Sequence, residues 1–185
     1  MTHLAERLYS AEEFERLPDA EAFELDDGVL KERCMGFKSQ EIAWAMAFEI
    51  GMYLRRQAIG RVLPFDTGLR IFSGRPERVP RPDGGFISYQ RLPSGESPEG
   101  FLSVPPELVI ESVSGSDSSE GIDRKVEEYI GAGLRLVWVL QPATRTAMVY
   151  RADGTVARIQ ATGALDGEDV LPGFRCELAT IMPRA

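Results

Sequence analysis

The chain has 185 residues, of which 43% are hydrophobic and 27% charged, a mixture typical of one globular domain rather than a disordered chain. No stretch approaches the ~20 apolar residues that span a bilayer, and the N-terminus carries no apolar signal core. We therefore expect a cytoplasmic protein with a single domain over residues 1–185. Its net charge of −8 disfavours contact with nucleic acid.

The scarcity of histidine and cysteine limits the kinds of catalytic or metal site that this sequence can form. The single histidine is His3, in the terminal segment, which argues against a Ser-His-Asp or Cys-His hydrolase and against a His-ligated zinc site. Cys34 and Cys176 are far apart in sequence, so they pair only if the fold brings them together, and in a cytoplasmic protein we expect them reduced. Proton transfer or metal binding must therefore rest on carboxylates, lysine, tyrosine or cysteine.

The first elements carry clear local signals. Ser10 and Glu13 have the spacing of a capping box, which predicts a short helix that ends before Pro18. The segment 23–30 predicts a hairpin with its turn at Asp27-Gly28. A long helix is predicted from Ser39 to Gln57. It is apolar around most of its circumference, which favours burial inside the domain or at a subunit interface.

The charge is uneven along the next segment. Between Arg55 and Arg91 there are eight arginines against three acidic residues. This segment forms either a local basic surface on an acidic protein or a solvated arginine-rich loop. The arginines are at positions 55, 56, 61, 70, 75, 78, 81 and 91.

The rest of the chain predicts a mixed sheet flanked by helices. Strands are expected near residues 61–64, 69–72, 85–88, 107–113, 135–140, 146–151 and 155–160, and a helix is expected from about 118 to 132, ended by Gly133. The strand at 107–113 is the most apolar and therefore central. The unit of strand, helix and strand that follows is long enough for a right-handed crossover between parallel strands.

Two acidic residues occupy strand contexts that disfavour acids. Asp83 lies between Pro82 and an apolar strand, and Glu111 lies inside the strand 107–113. A carboxylate in so apolar a strand needs a partner, and Mg²⁺, which prefers oxygen ligands, is one. The alternatives are a salt bridge for Glu111 at the strand end and a turn position for Asp83.

The predicted helix after Glu111 contributes a lysine. Its apolar stripe consists of Ile122, Val126, Tyr129 and Ile130, and Lys125 falls beside Tyr129 at the edge of that stripe. From there the side chain can extend toward the end of the adjacent strand. An ammonium group in that place orients a nucleophilic water or stabilises a phosphoryl transition state. The alternative is an ordinary surface lysine.

Four blocks of this sequence resemble the Uma-type family of restriction-endonuclease-like proteins, within the PD-(D/E)XK nuclease superfamily. They are FELDDGVL (23–30), RPDGGFI (81–87), PPELVIESVSGSDSSEGIDRKVEEYIGAGLRLVWVLQP (105–142) and LPGF (171–174). The resemblance covers roughly residues 11–178. It implies an α/β fold in which a mixed sheet flanked by helices forms a restriction-endonuclease-like core, and it implies hydrolysis of DNA phosphodiester bonds with Mg²⁺ or Mn²⁺.

The resemblance also implies roles for individual residues. Asp83 and Glu111 would be the metal ligands, Glu24 would be an auxiliary acid, and Lys125 would supply the catalytic lysine. In the superfamily the lysine usually lies two residues after the acid, where this chain has Val113.

Two further positions depart from the family pattern. Ser39 stands where many members have histidine, and Gln141 precedes Pro142 where many have aspartate.

Other functions remain open from the sequence. One alternative is a catalytically degenerate nuclease fold that acts as a binding or scaffold module, which the net charge and Val113 favour. Another is a carboxylate-pair hydrolase for a different substrate, such as a glycosidase, which needs no metal. A homodimer is expected because many nucleases of this fold act in pairs and the apolar helix 39–57 offers a surface.

Overall fold

The computed structural model describes residues 7–33, 36–94, 96–115 and 117–183. His3 and Cys34 lie outside these ranges, so the predicted redox state of Cys34 and Cys176 lies outside the described residues. Cys176 itself is buried.

Both predictions for the N-terminal part are confirmed. Helix α1 (Ala11–Glu15) begins at a capping box in which the Ser10 hydroxyl accepts from the Glu13 N–H and the Glu13 carboxylate accepts from the Ser10 N–H. Strands β1 (Phe23–Asp26) and β2 (Val29–Glu32) form the predicted hairpin. Asp27 and Gly28 have φ angles of 50° and 85°, the left-handed pair that a tight two-residue turn requires.

The remaining elements follow in chain order. They are α2 (Phe37–Leu54), β3 (Gly60–Leu63), β4 (Gly84–Ser88), β5 (Leu108–Ser112), α3 (Ser119–Gly131), β6 (Leu136–Gln141), β7 (Thr146–Arg151), β8 (Val156–Ile159), β9 (Ala164–Asp166), β10 (Arg175–Glu177) and α4 (Leu178–Ile181).

In the described part of the chain, six strands form one mixed sheet in the order β3-β4-β5-β6-β7-β8. Strands β5 and β6 run parallel and are joined through α3, which confirms the predicted crossover, and the other neighbouring pairs of this sheet run antiparallel. None of the described helices combines the length and apolarity needed to cross a membrane.

The sheet is covered on both faces, because its strands alternate their side chains between two apolar clusters. On one face Ile110 and Trp138 pack with α2 and with the hairpin of β9 and β10. On the other face Val109 and Val137 pack with α3. Glu111 follows the alternation of Val109 and therefore points toward α3.

Helix α2 carries apolar side chains on two opposite faces. Ile42, Met46 and Ile50 are buried against the sheet. On the opposite side Trp44 and Phe48 remain exposed, at 61% and 55%. Burial inside the domain is therefore confirmed for one face, and an apolar surface is left on the other.

The predicted strand at 69–72 is wrong. Leu69 forms only an isolated bridge with Leu102, and its N–H donates to the Pro80 carbonyl. Pro80 and Pro82 have no N–H to donate in return, so a regular ladder cannot extend along this segment. The sequence analysis also missed β9, β10 and α4, which are three or four residues long.

Candidate active site

The two acids of the predicted site lie side by side in the central sheet. Strands β4 and β5 are antiparallel, with Gly84 opposite Ile110, so the start of β4 meets the end of β5. The Asp83 N–H donates to the Ile110 carbonyl at 2.9 Å, and the Ser112 N–H donates to Asp83 Oδ2 at 2.8 Å. These two hydrogen bonds fix Asp83 against the strand that carries Glu111.

Gly85 permits this close pairing of β4 and β5. A Cβ atom at position 85 would lie 2.2 Å from the carbonyl oxygen of Leu108, a distance that real side chains do not tolerate. Glycine is therefore required at position 85 of the RPDGGFI block, because it lets the backbone after Asp83 approach the central strand.

Both acids are buried and both have perturbed titration. Asp83 is 6% and Glu111 5% exposed. Burial raises the pKa of Asp83 to about 7, and the charge of Glu111 adds to the effect. Burial also raises the pKa of Glu111, against the opposing charge of Lys125. Two buried carboxylates that repel each other favour a proton or a cation between them.

Helix α3 supplies two groups that contact Glu111. The Lys125 ammonium lies 2.8 Å from Glu24 Oε1 and 3.3 Å from Glu111 Oε2. One turn later, the Tyr129 hydroxyl donates to Glu111 Oε1 at 2.7 Å. The structure therefore brings Lys125 to the site and gives Tyr129, which sequence analysis assigned to the apolar stripe, a polar contact inside it.

The charge states of these two groups follow from their surroundings. Although burial opposes the charged form, the carboxylates of Glu111 and Glu24 raise the pKa of Lys125 above its ordinary value. Burial, together with the negative charge of Glu111, also raises the pKa of Tyr129 well above its ordinary value. Lys125 is therefore a permanent cation at neutral pH and Tyr129 a neutral donor, so neither serves as a general base.

Glu24 is present at the site but bound by cations. Besides Lys125, its carboxylate accepts from the Arg81 N–H at 3.3 Å and lies 3.8 Å from Arg78 Nη1. Within the described residues, no group of three or more His, Cys, Asp and Glu side chains is placed so that it could hold a metal ion. Glu24 therefore contacts Lys125 in this arrangement, and its role as an auxiliary acid stays a prediction.

The residues present fit a hard divalent cation that takes few protein ligands. Mg²⁺ is commonly held by one or two carboxylates and completes its shell with waters and substrate oxygens. Asp83 and Glu111 supply such a pair. Burial and, after it, the charge of Glu111 raise the pKa of Asp83, and a cation bound by both acids would offset their repulsion.

Asp83, Glu111, Lys125 and Glu24 open onto one cavity of about 390 Å³. The three positions that depart from the family pattern lie beside it. Val113, Ser39 and Gln141 line a neighbouring cavity, and the Ser39 hydroxyl donates to the Gly36 carbonyl at 2.8 Å.

Both alternatives for the arginine-rich segment, a basic surface and a solvated loop, stay predictions, although most of its arginines bind the protein itself. All eight arginines are among the described residues, and six of them bind groups of this same chain: 61, 70, 75, 78, 81 and 91. Arg78 is only 2% exposed. Long loops carry carbonyls that lack strand partners, and these arginines satisfy several of them.

Arg33 and Arg78 were not predicted as site residues. Arg33 lies 3.5 Å from Asp83 Oδ1, and Arg78 binds Glu128 at 2.8 Å. No sequence signal separates these two arginines from the rest. Tyr129, in contrast, lies one helical turn from Lys125 on the same edge of the stripe, and that spacing was visible.

The fold and the arrangement of acids and lysine define a restriction-endonuclease-like protein. The chain belongs to the Uma2 family, described as "Putative restriction endonuclease", whose model matches residues 11–180. The crystal structure of a "putative nuclease belonging to DUF820" from Anabaena variabilis ATCC 29413 is similar, with a TM-score of 0.76 and 18% identity over 94% of this chain and 97% of that chain. A search of curated proteins found no match. The predicted fold and family are thus confirmed.

Proposed function

We propose that this protein is an endonuclease that hydrolyses DNA phosphodiester bonds with Mg²⁺ or Mn²⁺ bound at Asp83 and Glu111. The observation that carries the proposal is the pairing of these two buried acids beside the ammonium group of Lys125. The nuclease-like fold and the family support the same reaction class.

Each residue has a distinct task in this proposal. A bound metal would polarise the phosphoryl oxygen and lower the pKa of a water molecule. Lys125 keeps its proton, so it orients the attacking water or stabilises the charge that develops on the phosphoryl group. Tyr129 fixes one oxygen of Glu111, and Glu24 holds the Lys125 ammonium toward the acids.

The proposal is tested by cleavage of plasmid and linear DNA in Mg²⁺, in Mn²⁺ and in EDTA. We expect cleavage that depends on the metal and that is lost in Asp83→Asn and in Glu111→Gln. Glu107→Gln is the matched control, because Glu107 is as deeply buried directly before β5 but binds Ser88 and Arg91 away from the site. Equal activity of both site variants and the wild type would refute the assignment.

A second candidate is a nuclease fold that binds partners without catalysis. The observation in its favour is that Lys125 already compensates the charges of Glu111 and Glu24. Calorimetric titration separates the candidates, because a degenerate site would bind neither Mg²⁺ nor Mn²⁺. A third alternative is that this protein is a carboxylate-pair hydrolase for another substrate. Such an enzyme needs no metal, so its activity would persist in EDTA.

A further inference from the structure

Two half-exposed cations meet at the mouth of the active-site cavity. Lys31 comes from β2 and Arg124 from α3, and their side chains are 53% and 51% exposed. Both line the cavity that contains Asp83 and Glu111. They differ in this respect from Arg78, which is buried within the protein.

Both cations bind the same oxygen atom. The Lys31 ammonium and the Arg124 guanidinium, at 3.3 Å, contact Oδ2 of Asp26. Since one oxygen reaches both nitrogen atoms, a single phosphate group entering the mouth of the cavity can also reach both. The pair comes from two different elements, the N-terminal hairpin and α3, whose side chains meet at Asp26.

Asp26 does not depend on these two partners alone. It is buried, at 7% exposed, and its other oxygen lies 3.4 Å from Arg75 Nη2 and 3.7 Å from Arg78 Nη1. These two arginines keep the carboxylate compensated when the outer cations turn toward another anion. Lys31 and Arg124 are therefore held in place by a group that can release them.

The two acids that hold Lys125 and the outer pair are spaced like neighbouring phosphates of a nucleic-acid strand. Glu24 and Asp26 lie on the same face of β1, two residues and roughly 6–7 Å apart. Glu24 holds Lys125, and Asp26 holds Lys31 and Arg124. This separation is close to that of neighbouring phosphates along one strand.

We propose that Lys31 and Arg124 form the binding site for the phosphate next to the one that is cleaved. The inference rests on the proposed function for the identity of the substrate. It adds a phosphate-binding site that the catalytic acids do not provide. It also assigns affinity for DNA to two basic residues of a protein whose net charge is negative.

The test is fluorescence anisotropy with a short labelled DNA duplex in EDTA at several salt concentrations. Without metal no cleavage is required, so the binding result stands apart from nuclease activity. We expect Lys31→Ala and Arg124→Ala each to lower the slope of log affinity against log salt by about 0.9. That change corresponds to about eightfold weaker binding at ~0.1 M salt, and the difference should vanish as salt approaches ~1 M.

The double variant tests most specifically whether Lys31 and Arg124 bind the same phosphate. Because both cations face one phosphate, its slope should fall by about 0.9 rather than twice that amount. Lys31→Arg, which keeps the charge, should bind as the wild type does. Arg175→Ala is the matched control, since Arg175 is 63% exposed on β10 and binds Glu177.

Three results would overturn the inference. They are the absence of salt-dependent DNA binding by the wild type, equal losses in Arg175→Ala, and an additive loss in the double variant. Thermal unfolding of each variant is the check that the fold is retained. Wild-type binding without cleavage in Mg²⁺ would refute the proposed function and leave this binding site standing.

Discussion

Replacing Asp83 with asparagine should stabilise the metal-free protein at alkaline pH. The buried Asp83 carboxyl has a pKa of about 7 in the folded protein, against an ordinary value of 3.8. As pH rises from the lower value to the higher, the unfolded chain loses this proton and the folded chain keeps it. Stability therefore falls across that interval, and the full cost is present above about pH 7.

The magnitude follows from the size of the shift. A difference of about 3 pKa units corresponds to ~4 kcal/mol at full ionisation. Asparagine mimics the protonated acid and can still accept the hydrogen bond from the Ser112 N–H. Between about pH 5 and about pH 8, the advantage of the variant should grow by ~3 kcal/mol, because part of the cost is already present at the lower pH.

Urea denaturation in EDTA at both pH values measures this difference. Asp66→Asn is the control, because Asp66 also binds Arg33 but is exposed at the surface, and its effect should stay below about 0.5 kcal/mol at either pH. An Asp83→Asn variant that is less stable than the wild type at about pH 8, or equally changed at both pH values, would contradict the description of Asp83 as a buried, repelled acid.

Three further predictions concern the site and the surface. Lys125→Met should reduce DNA cleavage by about 100-fold or more while Mg²⁺ binding, measured by calorimetry, is retained or tightened, because a positive charge beside the ligands is removed; loss of metal binding would refute this separation. Tyr129→Phe should lower the free energy of unfolding by ~1–3 kcal/mol and weaken Mg²⁺ binding, since one oxygen of Glu111 loses its donor; an unchanged metal affinity would show that Tyr129 does not position Glu111. We propose that the wild type is a homodimer through the exposed side of α2, so Trp44→Glu should elute as a monomer in size-exclusion chromatography with light scattering; a monomeric wild type would contradict this proposal.

Several elements of the fold were predictable because their signals are local. The capping box at Ser10, the Asp27-Gly28 turn and the apolar run at 107–113 each depend on a few neighbouring residues. The segment 69–72 has the apolar pattern of a strand, but Leu69 pairs with the segment around Pro80, where prolines prevent a regular ladder. That distant neighbour cannot be recognised from the residues around position 69. The short strands β9 and β10 contain too few residues to show a periodicity.

The residues of the site also differ in whether a local sequence signal indicates them. Asp83 and Glu111 stood out because their neighbours are apolar, and Lys125 because of its place on a helical wheel. Glu24 was found only through the family resemblance, since an acid in a predicted hairpin is unremarkable in sequence. The contacts of Arg33 with Asp83 and of Arg78 with Glu128 join residues about 50 positions apart, and nothing in the local pattern indicates them.

The most direct test of the central claim is a crystal structure of the wild type soaked in Mn²⁺ and measured for anomalous scattering. We predict one anomalous peak between the carboxylates of Asp83 and Glu111, and its loss in crystals of Asp83→Asn. Crystals that show no peak there, or a peak that persists in the variant, would contradict the assignment of these two residues as the metal ligands.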